Sequence, residues 1–232
     1  MKEYIKKTLL CIVPLLFAGS VLFANDIYVT QSGDTLDLDI TQDGQNNTVG
    51  NSSTASSSTG ATTTLNIDQI GNSNVITYQI NGATYTGVIN LVGNSNNVDL
   101  NCDSTGNNSS CGTANAVINF TGNSNDIDLD IGQTASANNA DVDIVGQSGS
   151  DSNVVAATVD GNSAILTITV NGDTNNWLID MDGNGDINGH TLIHTHTGGI
   201  ADVDIVQSGV NDQMITLTTS GDNHDIDIQQ TD

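Results

Sequence analysis

The sequence predicts an all-β fold, a β-solenoid built from stacked strand–turn–strand rungs. Three observations lead to this prediction. Glycines recur at a constant short interval, as at Gly71, Gly82 and Gly93, apolar residues stand at fixed distances from them, and the segments between them alternate apolar with polar, as in "DIDLDI" at 126–131. Alternation with a period of two is typical of strands with one buried face, and a fixed repeat is typical of stacked architectures.

The repeat unit, for example 72–82, is one strand plus one tight turn, and it cannot bury its own apolar face. Two units make a rung of about 22 residues, and stacked rungs bury a continuous core. The roughly 208 residues after position 24 leave room for about nine rungs. The only proline is Pro14, which fits strands whose N–H groups are all needed for pairing.

The turns are predicted at the recurring glycines. These repeat-turn residues are Gly33, Gly44, Gly71, Gly82, Gly93, Gly122, Gly161, Gly172, Gly183, Gly209 and Gly221. Half of the gaps between them have the same length as the gap from Gly71 to Gly82, which fixes the register of the repeat. The longest gaps are interpreted as rungs that carry inserted loops.

Two apolar positions accompany each turn. Four residues before the glycine stand Val29, Ile40, Ile67, Tyr78, Ile89, Ile118, Ala157, Ile168, Ile179, Ile205 and Leu217. Five residues after it stand Leu38, Val49, Ile76, Val98, Ile127, Leu166, Trp177, Met214 and Ile226, with Gly87 and Asn188 as exceptions. These residues are predicted to point into the core.

Residues 1–24 read as a secretory signal peptide, because a basic start is followed by an apolar run that ends at Ala24. A single membrane anchor is the alternative. Residues 25–232 are predicted to form a single domain. Inserted loops are expected near 48–64, 102–111, 133–140 and 186–199.

The charge of the chain excludes several functions. Lys2, Lys6 and Lys7 are the only basic side chains besides histidine, and beyond residue 24 the acidic residues are all aspartates. Nucleic acid and acidic membranes are therefore not expected partners, because both need Lys or Arg, and no membrane insertion is expected after residue 24. The sequence also lacks a Gly-x-Ser-x-Gly elbow and a phosphate-binding loop, so we expect no enzyme activity and no required cofactor.

Two cysteines remain after the leader, Cys102 and Cys111. In a secreted chain they are expected to form a disulfide that closes "CDSTGNNSSC" at its base, with two free thiols as the alternative.

Two segments contain candidate metal ligands. Asp180, Asp182, Asn184 and Asp186 stand at positions 1, 3, 5 and 7 of a possible calcium loop, although position 12 is a threonine. The alternative is one more turn, at Gly183, among solvated aspartates. In "HTLIHTH" (His190 to His196), His194 and His196 would point the same way on a strand and could share a transition metal. A surface loop with incidental histidines is the alternative.

The repeat resembles that of the curlins, the subunits of bacterial curli amyloid fibres, whose unit reads Gln-x-Gly-x-Gly-Asn-x-Ala-x-x-x-Gln. Gln31, Gly33 and Gln42 follow this spacing. The polar positions of the repeat recur as Gln31, Gln42, Gln69 and Gln207, and as Asn47, Asn74, Asn96, Asn125 and Asn175. The second glycine of the curlin unit is replaced, for example by Ser73, Ser95, Ser124 or Thr174, and its alanine by larger residues such as Ile76 or Val98.

The resemblance implies a subunit that self-assembles into an extracellular amyloid-like fibre for adhesion and biofilm. It also implies export from a Gram-negative cell through an outer-membrane exporter, and a nucleator subunit as a partner. Two alternatives remain open. One is a non-polymerising β-solenoid, an adhesin or an ice-binding protein, suggested by Thr-x-Thr pairs such as Thr167/Thr169 and Thr216/Thr218. The other is an acidic, calcium-responsive surface module.

Overall fold

The predicted β-solenoid is confirmed. The computed structural model describes residues 24–44, 46–50, 55–71, 73–93, 95–102, 111–132, 139–147, 149–161, 163–182, 189–209 and 213–231. Within them the regular elements are all strands and belong to one 17-stranded sheet. The strands are Ala24–Ile27 (β1), Thr30–Ser32 (β2), Thr35–Asp43 (β3), Asn46–Val49 (β4), Ser56–Ile70 (β5), Val75–Val92 (β6), Asn97–Cys102 (β7), Thr113–Thr121 (β8), Asp126–Ile131 (β9), Asn139–Gly146 (β10), Val154–Val159 (β11), Ser163–Asn171 (β12), Asn175–Met181 (β13), Thr191–Thr197 (β14), Ala201–Ser208 (β15), Met214–Ser220 (β16) and His224–Thr231 (β17).

The strands line two faces of the solenoid, and every pairing is parallel and joins one rung to the next. The first face contains β1, β2, β4, β7, β9, β11, β13, β15 and β17, and the second contains β3, β8, β10, β12, β14 and β16. Strands β5 and β6 are long because each runs through both faces. In the described residues the first face therefore has nine levels, and the second has eight.

The rung length varies because extra residues are inserted at the corners. Val75 pairs with Asn97, and Asn97 in turn pairs with Asp126, so the second of these two rungs is the longer one. The strands keep their register despite these insertions, since a parallel ladder constrains the strands but not the corners between them.

Two of the predicted insertions are wrong for most of their length. Residues 56–64 belong to β5, and residues 191–197 form β14. Both segments resemble loops in sequence because their inward side chains are polar: Ser58 hydrogen-bonds Thr63 across the interior at 3.0 Å, and β14 buries histidines. Thr48 and Val49 lie in β4, and Asn139 and Ala140 begin β10. Positions 1–23 of the predicted signal peptide and the loop interiors 103–110, 133–138 and 183–188 lie outside the described residues.

The core is a set of columns, where a column means the side chains that stack at one inward position of successive rungs. One column on the second face is made of isoleucines, Ile40, Ile67, Ile89, Ile118, Ile144 and Ile168, and then continues with His194 and Leu217. All six isoleucines are buried. Identical β-branched side chains stack well at the strand spacing of about 4.8 Å.

Close contact between rungs explains why glycine recurs at the corners. A Cβ on Gly93 would collide with the carbonyl oxygen of Gly71 one rung away, and one on Gly221 would collide with that of Gly198. Gly82 is an exception among the predicted turns, because it lies inside β6 at the change of face. The described part of the chain holds no helix of the length and hydrophobicity needed to span a bilayer.

Candidate assembly interface

Buried asparagines form a ladder at the corner that leads from the second face to the first. Six buried asparagines occupy this corner, Asn47, Asn74, Asn96, Asn125, Asn153 and Asn175, and side-chain hydrogen bonds join the last four into the ladder. Asn47 and Asn74 donate instead to backbone carbonyls. The side-chain amide of Asn96 donates to Asn125 at 2.6 Å, Asn125 donates to Asn153 at 2.8 Å, and Asn153 donates to Asn175 at 2.9 Å. Such amide ladders also stabilise stacked β-structure in amyloid.

Each of the four laddered amides, those of Asn96, Asn125, Asn153 and Asn175, also donates to the carbonyl three residues before it and so fixes its own turn. Asn96 donates to the carbonyl of Gly93 at 3.0 Å, and Asn175 donates to that of Gly172 at 2.8 Å. The sequence identified five of the six asparagines. It missed Asn153 because this residue stands four positions after Gly149, not three, so the spacing rule did not reach it.

The glutamines do not form one ladder. Gln69 donates to Gln42 at 2.6 Å on the second face, and Gln230 donates to Gln207 at 3.1 Å on the first face. Gln31 is half-buried in the first rung. Glutamine pairs therefore lie near both ends of the solenoid, and apolar side chains such as Leu91 and Phe120 continue the Gln42 column between them.

The structure buries most of the predicted core positions. Buried are Ile40, Ile67, Tyr78, Ile89, Ile118, Ala157, Ile168, Ile179 and Ile205, whereas Val29 and Leu217 are half-buried. Met214 is 49% exposed, so its predicted core role is wrong. The inward residue is Ile215, because the corner after Gly209 is one residue longer than the repeat rule allows.

The two terminal rungs leave apolar side chains partly uncovered. In the first rung Ile27, Leu36 and Leu38 pack against the core but are only half-buried. In the last rungs Ile226 is half-buried and Ile228 is 48% exposed, whereas Ile179 and Ile205, below it in the same column, are 0% and 1% exposed. Both ends thus present the cross-section of the core.

The backbone at both ends is also unpaired among the described residues. Strands β1, β2 and β3 pair only with the second rung, and β16 and β17 pair only with the rung before them. An exposed row of N–H and C=O groups is a template for another strand. Apolar columns and free edges therefore coincide at each end.

The predicted surface loop of histidines is wrong. His190, His194 and His196 are fully buried, with both ring nitrogens of each lacking a hydrogen-bond partner in the described structure. The ring of His194 contacts Trp177 edge-on, with centroids 5.0 Å apart. Burial lowers the pKa of all three, and that of His194 to about 4. Among the described residues, no three His, Cys or Asp side chains are grouped to hold a metal ion.

The outer surface pairs aspartates with asparagines from adjacent rungs. Asn66 donates to Asp39 at 2.8 Å, and Asn90 donates to Asp68 at 2.6 Å. These amides partly replace the Lys and Arg side chains that are absent after residue 24. Elsewhere the carboxylates crowd together. Burial, followed by the charges of Asp182, Asp180 and Asp130, raises the pKa of Asp160 to about 6.

Of the predicted calcium ligands, the structure describes only Asp180 and Asp182. Asp180 lies on β13, where burial and then Asp182 raise its pKa, and Asp182 directly follows this strand. Asn184, Asp186 and the turn glycine Gly183 lie outside the described residues.

A disulfide joins Cys102 and Cys111, whose Cα atoms are 5.8 Å apart. Both cysteines are fully buried, and Cys102 is the last residue of β7, at an inward position. The bridge therefore belongs to the core at this corner.

One stretch of the second face carries no charge. The outward side chains of β12, β14 and β16, called the uncharged face here, are Ser163, Ile165, Thr167, Thr169, Asn171, Thr191, Ile193, Thr195, Thr197, Met214, Thr216, Thr218 and Ser220. On the opposite side, β15 and β17 present Asp202, Asp204, Asp225 and Asp227. The two sides of these rungs therefore differ sharply in charge.

Comparisons of the chain with protein-family profiles, with curated proteins and with solved structures each return no match. Function is therefore inferred from the chemistry and geometry of the chain itself.

Proposed function

We propose that this protein is a structural subunit that self-assembles end to end into an extracellular, amyloid-like fibre. The observation that carries the proposal is the pair of open terminal rungs, where half-buried apolar columns meet unpaired strand edges. Stacking a second copy there would bury the exposed apolar area and extend the parallel ladder, and both effects favour association.

Export, adhesion and a role in biofilm belong to the same proposal. They derive from the curlin-like repeat and the signal-peptide pattern, and a nucleator and an exporter would be the partners of such a subunit. No enzymatic role is proposed, since the features that carry the proposal are ladders and edges.

The test compares two substitutions on the last strand that add the same charge on opposite sides. Ile228→Asp places a carboxylate in the stacking surface, whereas Gln229→Asp places it outside on an exposed position. Purified protein without its leader would be followed by electron microscopy, and by fibre diffraction for a reflection near ~4.7 Å. We expect fibres from the parent and from Gln229→Asp, and few or none from Ile228→Asp.

The monomer should tolerate both changes, because both positions are exposed in the single chain. Circular dichroism of each variant checks this. Equal fibre formation by the two variants would contradict stacking through the terminal rungs. A parent protein that stays monomeric would favour the non-polymerising solenoid.

A further inference from the structure

The strand count determines where the next strand of a stack belongs. Strands alternate between the two faces along the chain, and among the described residues the last strand, β17, is the ninth level of the first face. The second face ends one level earlier, at β16. The next position in the alternation is therefore on the second face, on the free edge of β16.

We propose that the next copy docks with β1 and β2 on β16 and with β3 on β17, turned by half a revolution about the solenoid axis. This inference rests on the proposed end-to-end assembly and specifies its junction. The half turn about the axis places the first face of the incoming copy above the second face of the copy below, and it reverses the direction in which the strands of the incoming copy run. Its β3 therefore runs parallel to β17, as every pair in the solenoid does.

The alternative junction places β1 on β17 without rotation. It leaves one strand position empty above β16, so that β3 of the incoming copy has no neighbour there. An unfilled strand position leaves a row of backbone groups on both sides without partners in the sheet. The rotated junction leaves no such gap.

The sequences of the three strands support the rotated junction. In register, β15 reads "ADVDIVQ" (201–207), β17 reads "HDIDIQQ" (224–230) and β3 reads "LDLDITQ" (36–42). All three share Asp, apolar, Asp, Ile and a final Gln at the same positions. With β3 on β17, the columns of Val203, Ile205 and Gln207 continue without change of chemistry.

The glutamine hydrogen bonds have the same direction in the two existing pairs. Gln69 donates to Gln42 in the rung before it, and Gln230 donates to Gln207 in the rung before it. At the rotated junction, Gln42 of the incoming copy lies above Gln230. Its side-chain amide can donate downwards in the same way, so the junction extends a glutamine ladder.

Charge is the unfavourable part of this junction. Asp37 would lie above Asp225, and Asp39 above Asp227, in line with Asp202 and Asp204 of the preceding rung. The same stacking already occurs inside the subunit, so the fold accommodates it.

The experiment uses cysteine pairs that only one junction brings together. The chain carrying Asp39→Cys and Asp227→Cys tests the rotated junction, and the chain carrying Tyr28→Cys and Asp227→Cys tests the unrotated one. All three positions point outwards, and neighbours in a parallel pair are close enough for a disulfide. After assembly and mild oxidation, covalent multimers are measured on non-reducing gels.

We expect the Asp39/Asp227 chain to form covalent multimers with a yield at least about tenfold above the Tyr28/Asp227 chain, because separated cysteines cannot be bridged. Preferential crosslinking through Tyr28, or fibres with equal yields, overturns the rotated junction but leaves end-to-end assembly standing. Absence of both fibres and multimers from the two chains overturns the junction and the proposed function together.

Discussion

His194, on β14, is a buried polar side chain inside an otherwise apolar column. His194 stands between Ile168 and Leu217 in the isoleucine column, and neither of its ring nitrogens has a partner in the described structure. A buried polar atom without a partner costs about 1–3 kcal/mol. The fold therefore has a weak point in the rung that contains β14.

Replacing His194 with isoleucine should strengthen the fold. His194→Ile continues the column and removes two unpartnered nitrogens, so we expect the free energy of unfolding at pH 7 to rise by about 1–3 kcal/mol. Chemical denaturation measures this change. Leu192→Ile on the same strand is the control and should change stability by less than about 1.5 kcal/mol. A less stable His194→Ile protein would mean that the imidazole makes a favourable contact.

The pH dependence of His194 has a definite sign. Its folded pKa, about 4, lies below its ordinary value of 6.5, so its contribution to stability is present above pH 6.5 and is lost as the pH falls towards 4. His194→Ile should therefore flatten the loss of stability in this window. Melting temperatures of the parent and variant from pH 7 to pH 4 test this, and parallel curves would contradict it.

The pH dependence of the contribution of Asp160 to stability has the opposite sign. Its pKa is raised to about 6, so its contribution to stability is full below pH 3.8 and is lost as the pH rises through 6. Asp160→Asn should stabilise the protein by about 1 kcal/mol at pH 7.5, after allowance for solvent screening, and have little effect at pH 4. Asp37→Asn, at an exposed position stacked on Thr64, is the control and should have little effect at either pH. An equal gain in stability from Asp160→Asn and Asp37→Asn would contradict the crowding of carboxylates around Asp160.

At the scale of single elements, the turns show how this chain departs from the curlin unit. Ser95, Ser124 and Thr174, which replace the second glycine, have φ angles of 63°, 59° and 58°. This left-handed region disfavours side chains, especially β-branched ones. The turns of Ser95 and Ser124 are held by bonds between rungs, such as that from the Ser95 N–H to the Asn123 carbonyl at 2.8 Å.

Thr174→Gly should relieve this strain. Because glycine also gains freedom in the unfolded chain, we expect a net stabilisation of only about 0.5–1 kcal/mol. Thr169→Gly, within β12, is the matched control and should destabilise the protein. Thermal unfolding of the two variants checks the opposite signs, and a loss of stability in both would show that the threonine makes a needed contact.

The accuracy of sequence reasoning also differed between elements. Strands with apolar inward residues and a glycine at the standard distance, such as β9 and β13, were recognisable from alternation. The first part of β5 and all of β14 were missed, because Ser58, Thr63 and the histidines occupy inward positions that the pattern assigns to apolar residues. Which side chains of the end rungs stay exposed was beyond the sequence pattern, since their exposure depends on which strands lack a neighbour.

At the scale of the whole molecule, the charge of the chain opposes the proposed assembly. The carboxylates of β17 stack on those of β15, and two charges about 5 Å apart in water repel by roughly 0.8 kcal/mol. An incoming copy adds further aspartates, and no Lys or Arg follows residue 24. Assembly at neutral pH, followed by thioflavin fluorescence, should therefore be faster with added sodium chloride or millimolar calcium. An assembly rate that changes with neither salt nor calcium would mean that strand-edge pairing, and not charge repulsion, limits assembly.

The uncharged face has a consequence for how such a fibre would meet its surroundings. In the proposed stack each subunit would add about 41 Å of length at ~4.8 Å per level, and each would be turned by half a revolution. Neutral threonine-rich patches would then alternate between the two sides, recurring every ~82 Å along each side with acidic rungs between them. The two sides of such a filament are therefore equivalent. The filament would present the same regularly spaced neutral patches to an uncharged surface on either side. Many weak contacts would then add up to firm binding, although no single contact is strong.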